Sequence, residues 1–178
     1  SNPNDGYWLL RQAIECDDPV VFLEPKGRYW HKGEVDFAAP AGDMEATRVA
    51  KNGSAITLIG WGAQTAMNLE AAQHAAEEGV DIEVLDIRGL SSVDWEPIFE
   101  SVRRTGRAVI AQEAPGHVSF ASEVAATITE HCFYTLEAPV LRVNAYDVPF
   151  PPARLGDAYL PDPDRILDAV DRCLLYTS

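Results

Sequence analysis

The chain has 178 residues with a hydrophobic fraction of 47%, enough for one ordinary domain, or one domain and part of another, with a true core. Asp and Glu outnumber Lys and Arg 28 to 14, for a formal net charge of −14. So acidic a surface repels phosphate backbones and excludes nucleic acid as an expected partner, favouring a basic protein partner instead. No stretch reaches the roughly 18 to 20 apolar residues a membrane span needs, and Ser1 to Asp5 has neither the basic start nor the apolar run of a signal peptide. The three cysteines, Cys16, Cys132 and Cys173, form no C-x-x-C, which fits small packing residues in a reducing cytoplasm.

Taken in order, Tyr7 to Glu15 reads as a short helix capped by Asn4 or Asp5, with Leu9, Leu10, Ala13 and Ile14 on its apolar side. Pro19 stops it, and Val20 to Leu23 reads as a buried strand closed by Glu24 and Pro25. One helix and one strand cannot bury their own apolar faces, so residues 1–27 are expected to be the last elements of another domain. Residues 28–53, rich in Gly, Pro and charge, read as a linker that could hold short strands at Tyr29-Trp30 and Glu45 to Val49. Tyr29 and Trp30 are expected to anchor that linker on a neighbouring surface.

From residue 54 the pattern becomes regular. Ala55 to Ile59 is an apolar run, Gly60-Trp61-Gly62 a tight turn, and an alanine-rich helix follows with Leu69, Ala72 and Ala76 on one side. Gly79 ends that helix, and Ile82, Val84 and Leu85 belong to a second strand, which together make a βαβ unit with parallel strands. Ser92 or Asp94 is expected to cap the next helix, where Pro97 is tolerated in the first turn and Ile98, Phe99 and Val102 point inward. Gly106 is the expected C′ residue before a third parallel strand over residues 107–112. A helix to about Glu130 with Ala121, Val124, Ala125 and Ile128 inward, a strand over Val140 to Val143, and a closing helix from Arg165 to Leu175 complete the set.

Few residues announce chemistry. Gly60-Trp61-Gly62 lacks the third glycine of a dinucleotide fingerprint, since Thr65 stands there, so a structural turn outweighs a phosphate loop. His31, His74, His117 and His131 share no metal-ligand spacing. His117 follows a strand's C-terminal end, where α/β sites gather, yet a surface loop histidine is the plainer reading. Asp86 with Arg88, and Glu113, are candidate site carboxylates, with ion pairs tying strand ends to loops as the more ordinary role. The residues alone describe an α/β module without a self-sufficient catalytic constellation.

Several motifs nevertheless carry a resemblance over nearly the whole chain. Asn2-Pro3-Asn4-Asp5, Pro19 to Lys26, Trp61-Gly62-Ala63-Gln64, Val84 to Arg88, Gln112 to Pro115, Phe120 to Glu123, Leu136 to Val140, Tyr146 to Pro151 and Tyr159 to Asp162 resemble the β subunit of 2-oxo acid dehydrogenase E1 components. Glu24-Pro25-Lys26, Trp61 to Gln64 and Tyr146-Asp147 resemble the branched-chain type more than the pyruvate type; pyruvate and acetoin dehydrogenases remain alternatives. The departure sits at Gly116-His117-Val118-Ser119, where many relatives have a T-G-G run.

The resemblance implies a thiamine-diphosphate enzyme with Mg, built as an α2β2 heterotetramer, that decarboxylates 2-oxo acids and passes the acyl group to lipoyl-E2. It implies that residues 54–178 form a transketolase C-terminal-like domain, a three-layer α/β/α sandwich with a mostly parallel five-stranded sheet. Residues 1–27 would be a remnant of the pyrimidine-binding domain. Its implied partners are an E1 α subunit, a second β subunit and the basic subunit-binding domain of E2. The groups that grip thiamine diphosphate would lie upstream of Ser1, leaving this chain inactive by itself and without catalytic or cofactor-binding residues. One site falls inside: a structural K ion held partly by backbone carbonyls at Ala13, Ile14, Cys16 and Asp18, the last two standing where Asp and Asn are more usual. A free-standing α/β interaction module and a small nucleotide-binding domain using Gly60-Trp61-Gly62 are the competing readings.

Overall fold

The sequence pattern of alternating apolar runs and amphipathic helices resolves into a single mixed sheet covered on both faces. The structure is a computed structural model and describes residues 2–40 and 42–176. Its strands are β1 (Arg48–Lys51), β2 (Ile56–Gly60), β3 (Ile82–Asp86), β4 (Ala108–Pro115) and β5 (Leu141–Ala145). They lie in the order β1-β3-β2-β4-β5, with β1 antiparallel to β3 and every other pairing parallel. This is the expected α/β/α sandwich with a mostly parallel five-stranded sheet.

The helices are α1 (Pro3–Glu15), α2 (Gln64–Glu77), α3 (Glu96–Thr105), α4 (Phe120–Cys132), the short α5 (Gly156–Tyr159) and α6 (Pro163–Leu175). Because successive strand residues point to opposite faces, Leu58, Val84 and Val109 pack under α2 and α6. Their neighbours Ile59, Leu85 and Ile110 pack under α3 and α4. Central strands covered on both faces are mostly apolar, and β2 and β3 are buried along their full length, with Thr57, Glu83 and Asp86 the buried polar residues among them.

The inward faces of α3 and α4 are those the spacing predicts: Ile98, Phe99 and Val102, then Ala121, Val124 and Ile128. Gly106 ends α3 at φ +69°, a left-handed conformation that glycine adopts without steric cost, as expected of a C′ residue. At Gly53 a side chain would overlap the carbonyl carbon of Ile82 and the amide of Glu83, so only glycine admits that close approach of two backbones.

Several expectations are corrected. Val20 to Leu23 forms no strand, and all but the half-buried Phe22 are exposed, Val21 to 85%. An extended apolar run needs a neighbouring strand to take its backbone hydrogen bonds, and among the described residues none lies alongside. Tyr29 and Trp30 follow a single 3-10 turn (Lys26–Arg28) instead of forming a strand, and Trp30 is 88% exposed instead of anchored. Asn2, not Asn4 or Asp5, caps α1, its side chain accepting from the Asp5 amide. Of the predicted apolar side of that helix, Leu9 and Ala13 are half-buried while Leu10 and Ile14 are exposed, Ile14 to 74%. Neither Ser92 nor Asp94 caps α3: Ser92 donates to Glu45 and the Asp94 carbonyl accepts from Thr47. In α2 the buried side is Gln64, Thr65, Asn68, Ala71, Ala72 and Ala75, rotated from the predicted one, and Ala76 is exposed. Finally, the short strand allowed at Glu45 to Val49 is shifted to β1, Arg48–Lys51, which pairs with β3 as an edge strand of the sheet.

Candidate functional site

In a parallel sheet the strand ends that carry loops into ligand sites lie where neighbouring connections part company. Here that point is between β2, whose chain leads to β3 on one side, and β4 on the other. The turn after β2 places Gly62 at φ +58° and stands Trp61 edge-on against Phe120, with ring centroids 4.9 Å apart. Pro25 closes over the same turn, 3.8 Å from where a Gly62 side chain would begin. Gly60-Trp61-Gly62 is therefore a packed structural turn.

Beneath it lie two buried carboxamides from α2. The Gln64 Nε2 atom and both polar atoms of Asn68 are buried without a hydrogen-bond partner. Asn68 sits against the Cα of Gly60, where any side chain would collide with it. Such groups are expensive, because each loses its bonds to water and gains none in return.

Beyond β4 the loop is ordered by side chains. Gln112, fully buried at the strand, donates to the Pro115 carbonyl at 3.2 Å and to Asn144 Oδ1 at 2.9 Å, and accepts from the Ala121 amide at 3.1 Å. This one glutamine ties β4, β5 and the start of α4 together. The exposed His117 pairs with Asp147 at 2.9 Å, and its backbone amide donates to the same carboxylate at 3.2 Å. Those bonds, the backbone one foremost, hold the Asp147 carboxyl below its ordinary value. Next to it Val118 takes φ +48°, which a β-branched side chain rarely adopts, and it is wholly exposed. Exposed Tyr146, Val148 and Phe150 continue the apolar rim from the neighbouring loop.

The remaining candidates separate. Asp86 and Arg88 lie at the same C-terminal strand ends, toward the β1 edge of the sheet: Asp86 is in register with Gly60, Arg48 bonds it at 3.0 Å and Arg88 reaches Asp5 at 3.7 Å, the ion-pair role expected of them. Glu113 stays at the surface, but packing around it pushes its carboxyl above the ordinary value, against the opposing charge of Arg28. His31 lies near Arg28, His74 is exposed on α2, and His131 stacks on Phe99 at 4.6 Å. Among the described residues no three His, Cys, Asp or Glu side chains gather as a metal site. Ala13 and Ile14 occupy the last turn of α1 and Cys16 is its C-cap, donating its amide to Gln12 at 2.9 Å. The Asp18 amide donates to the Cys16 sulfur at 3.4 Å and the Asp18 side chain is exposed. A helix C-terminus presents carbonyls lacking intrahelical partners at the negative end of its dipole, a donor set suited to a hard cation.

The geometry thus defines a class: a three-layer α/β/α module whose strand-end loops form an apolar, exposed rim and whose central crevice is filled by its own side chains. The family described as transketolase, C-terminal domain, matches residues 45–166, and the chain belongs to that family. Over nearly its whole length it is also similar to β subunits of 2-oxo acid dehydrogenase E1 components. It is 52% identical to the pyruvate dehydrogenase E1 component subunit beta of Leifsonia xyli, covering 99% of this chain and 52% of that protein. It is 43% identical to the 3-methyl-2-oxobutanoate dehydrogenase subunit beta of Mycobacterium tuberculosis, covering 98% of this chain and 50% of that protein. Among solved structures it superposes on one described as split gene transketolase, inactive beta4 tetramer, with TM-score 0.66 and 32% identity. That match covers 76% of this chain and 43% of the other. The chain spans about half the length of the curated relatives it matches.

Proposed function

We propose that this chain is the C-terminal half of an E1 β subunit of a 2-oxo acid dehydrogenase, of the branched-chain type, serving subunit assembly and docking of the E2 core. The observation that carries the reading is exposed apolar surface outside the matched domain, in addition to the strand-end rim within it. Ile14, Val21, Leu23, Trp30 and Phe37 are all exposed, and all precede the matched domain that starts at residue 45. Surface of this kind marks a contact with further protein, and relatives twice as long offer it in their other half.

In the full enzyme thiamine diphosphate, with Mg, would supply the carbanion chemistry. The described residues bring no cluster of carboxylates or imidazoles together to hold that metal, and no step is assigned to them. Partners under this reading are an E1 α subunit, a second β subunit and the basic subunit-binding domain of E2, to which a chain of net charge −14 is complementary. The solved relative described as an inactive beta4 tetramer supports both self-association and inactivity of β chains by themselves. The carbonyl-rich turn at Ala13, Ile14, Cys16 and Asp18 is proposed to take K. The three free thiols accord with a cytoplasmic setting.

A second reading is favoured by one comparison: the relative with 52% identity is a pyruvate dehydrogenase subunit. Co-expressing the chain with the missing half of a relative and its α subunit decides between them. The branched-chain reading expects 3-methyl-2-oxobutanoate to be turned over in preference to pyruvate or acetoin; preference for pyruvate overturns it. Titration calorimetry of the chain by itself with Mg and thiamine diphosphate is expected to show no tight binding, and tight binding contradicts the assignment.

A further inference from the structure

The N-terminal helix is attached to the rest of the molecule in an unusual way. Its first turn buries Asp5 to 2% exposure between two arginines of the sheet domain. Arg48 of β1 approaches Asp5 at 3.3 Å and Asp86 at 3.0 Å, and Arg88, just past β3, approaches Asp5 at 3.7 Å. Asp86 also accepts from Thr65 in the first turn of α2 at 2.8 Å, and Arg88 donates to the Ala46 carbonyl at 2.8 Å. Asn2 completes the set by donating to Asp5 at 2.8 Å. Two aspartates and two arginines balance, and three of the four are almost wholly buried.

Apolar contact contributes little to the same joint. Neither apolar cluster of the sheet includes a residue of α1 among those described. Trp8, the one buried apolar side chain of α1, bonds the Asp36 carbonyl at 2.7 Å, in a strap that α1 carries with it. That strap is fixed to α1 by Asn4, which accepts from the Asp36 amide at 3.0 Å, and by Gln12, which donates to the Gly42 carbonyl at 2.7 Å.

We propose that Asp5, Arg48, Asp86 and Arg88 form an ionic latch that docks α1 and its strap on the sheet as a separable unit. The latch is asymmetric. When Asp5 withdraws, Arg48 keeps Asp86 and Arg88 keeps the Ala46 carbonyl, so the receiving site survives on the sheet side. Removal of one partner from a buried charge group is severe for whatever the pair holds in place, and here that is α1 alone. The helix therefore opens while the sheet stays folded, in the manner of a local unfolding unit.

Hydrogen exchange read by mass spectrometry on the whole chain tests this. Asp5→Asn keeps the side-chain shape and removes the charge; amides of residues 3–15 are expected to exchange at least about tenfold faster, equivalent to about 1.4 kcal/mol. Amides of β2, β3 and β4 should stay within about twofold. Adding Arg88→Met to Asp5→Asn should raise the α1 rate little further, because both act on one latch. Glu15→Gln, which removes the charge of the exposed Arg11–Glu15 pair on the same helix, should leave the rate unchanged. Unchanged α1 exchange in Asp5→Asn overturns the proposal. So does acceleration of sheet and helix together, or loss of folding altogether, since the latch would then be part of one indivisible structure.

Discussion

Residues 1–44 and the sheet domain after them are held together by different physics. The sheet domain buries Ile, Leu and Val on both faces of β2, β3 and β4, so its elements cohere by removal of apolar surface from water. The N-terminal segment turns most of its large apolar residues outward, Trp8 excepted, and is fixed by a handful of polar ties: Asp5 to two arginines, Trp8 to Asp36, Gln12 to Gly42. A cooperative core resists any single loss, whereas a segment held by discrete polar bonds depends on each. The difference teaches that one chain can hold a finished domain beside a piece whose burial is incomplete.

The sharpest way to break the comparison is to delete the same amount of side chain in both regions. Ile110→Ala should destabilise the protein by about 3 to 4 kcal/mol in urea unfolding, from lost burial plus the cavity it leaves. Asn68→Leu should act in the opposite direction, stabilising by about 1 to 2 kcal/mol, because it replaces a buried carboxamide whose polar atoms are unpaired with an apolar side chain of similar shape. A fall in stability on that substitution would show that Asn68 is satisfied in solution. Ile14→Ala should change stability by less than about 0.5 kcal/mol, since its side chain is exposed. An equal loss at Ile14 and Ile110 would erase the distinction between the regions.

The smallest expected effect is electrostatic. Burial raises the Glu113 carboxyl above its ordinary value, so the folded protein binds that proton more tightly than the unfolded one. The group then costs stability at neutral pH, and the cost fades as pH falls through the raised value. Its surface exposure limits the cost, and Glu113→Gln should stabilise by a few tenths of a kcal/mol at pH 7 and by nothing near pH 4. Melting curves at the two pH values check the sign.

Most of the sheet was legible because the central parallel strands carry dense apolar runs and their helices keep a 3.6-residue period. What escaped did so for physical reasons. β1, Arg48-Val49-Ala50-Lys51, overlaps the short strand allowed at Glu45 to Val49, but its bounds and its place at the edge come from pairing with the open side of β3, not from its own pattern. The inward face of α2 starts with Gln64, Thr65 and Asn68, and Thr65 is there to bond Asp86, which an apolar periodicity cannot signal. Asp5 reads as a helix cap and Arg88 as an ion-pair partner at a strand end, but their meeting with each other and with Arg48 waits until the fold brings positions more than 40 residues apart into contact. The opposite error came from Val20 to Leu23, whose strand-like composition finds no neighbouring strand among the described residues. At the strand-end rim, His117 was recognisable from its position, but its pairing with Asp147 and the strained Val118 beside it depend on the neighbouring loop.

Native-state hydrogen exchange of the unsubstituted chain in rising denaturant measures the free energy of opening, residue by residue, in both regions at once. The account predicts that amides in 3–15 open at a small fraction of the global unfolding free energy while those of β2, β3 and β4 open only with global unfolding. Equal opening free energies for α1 and the central strands would contradict it.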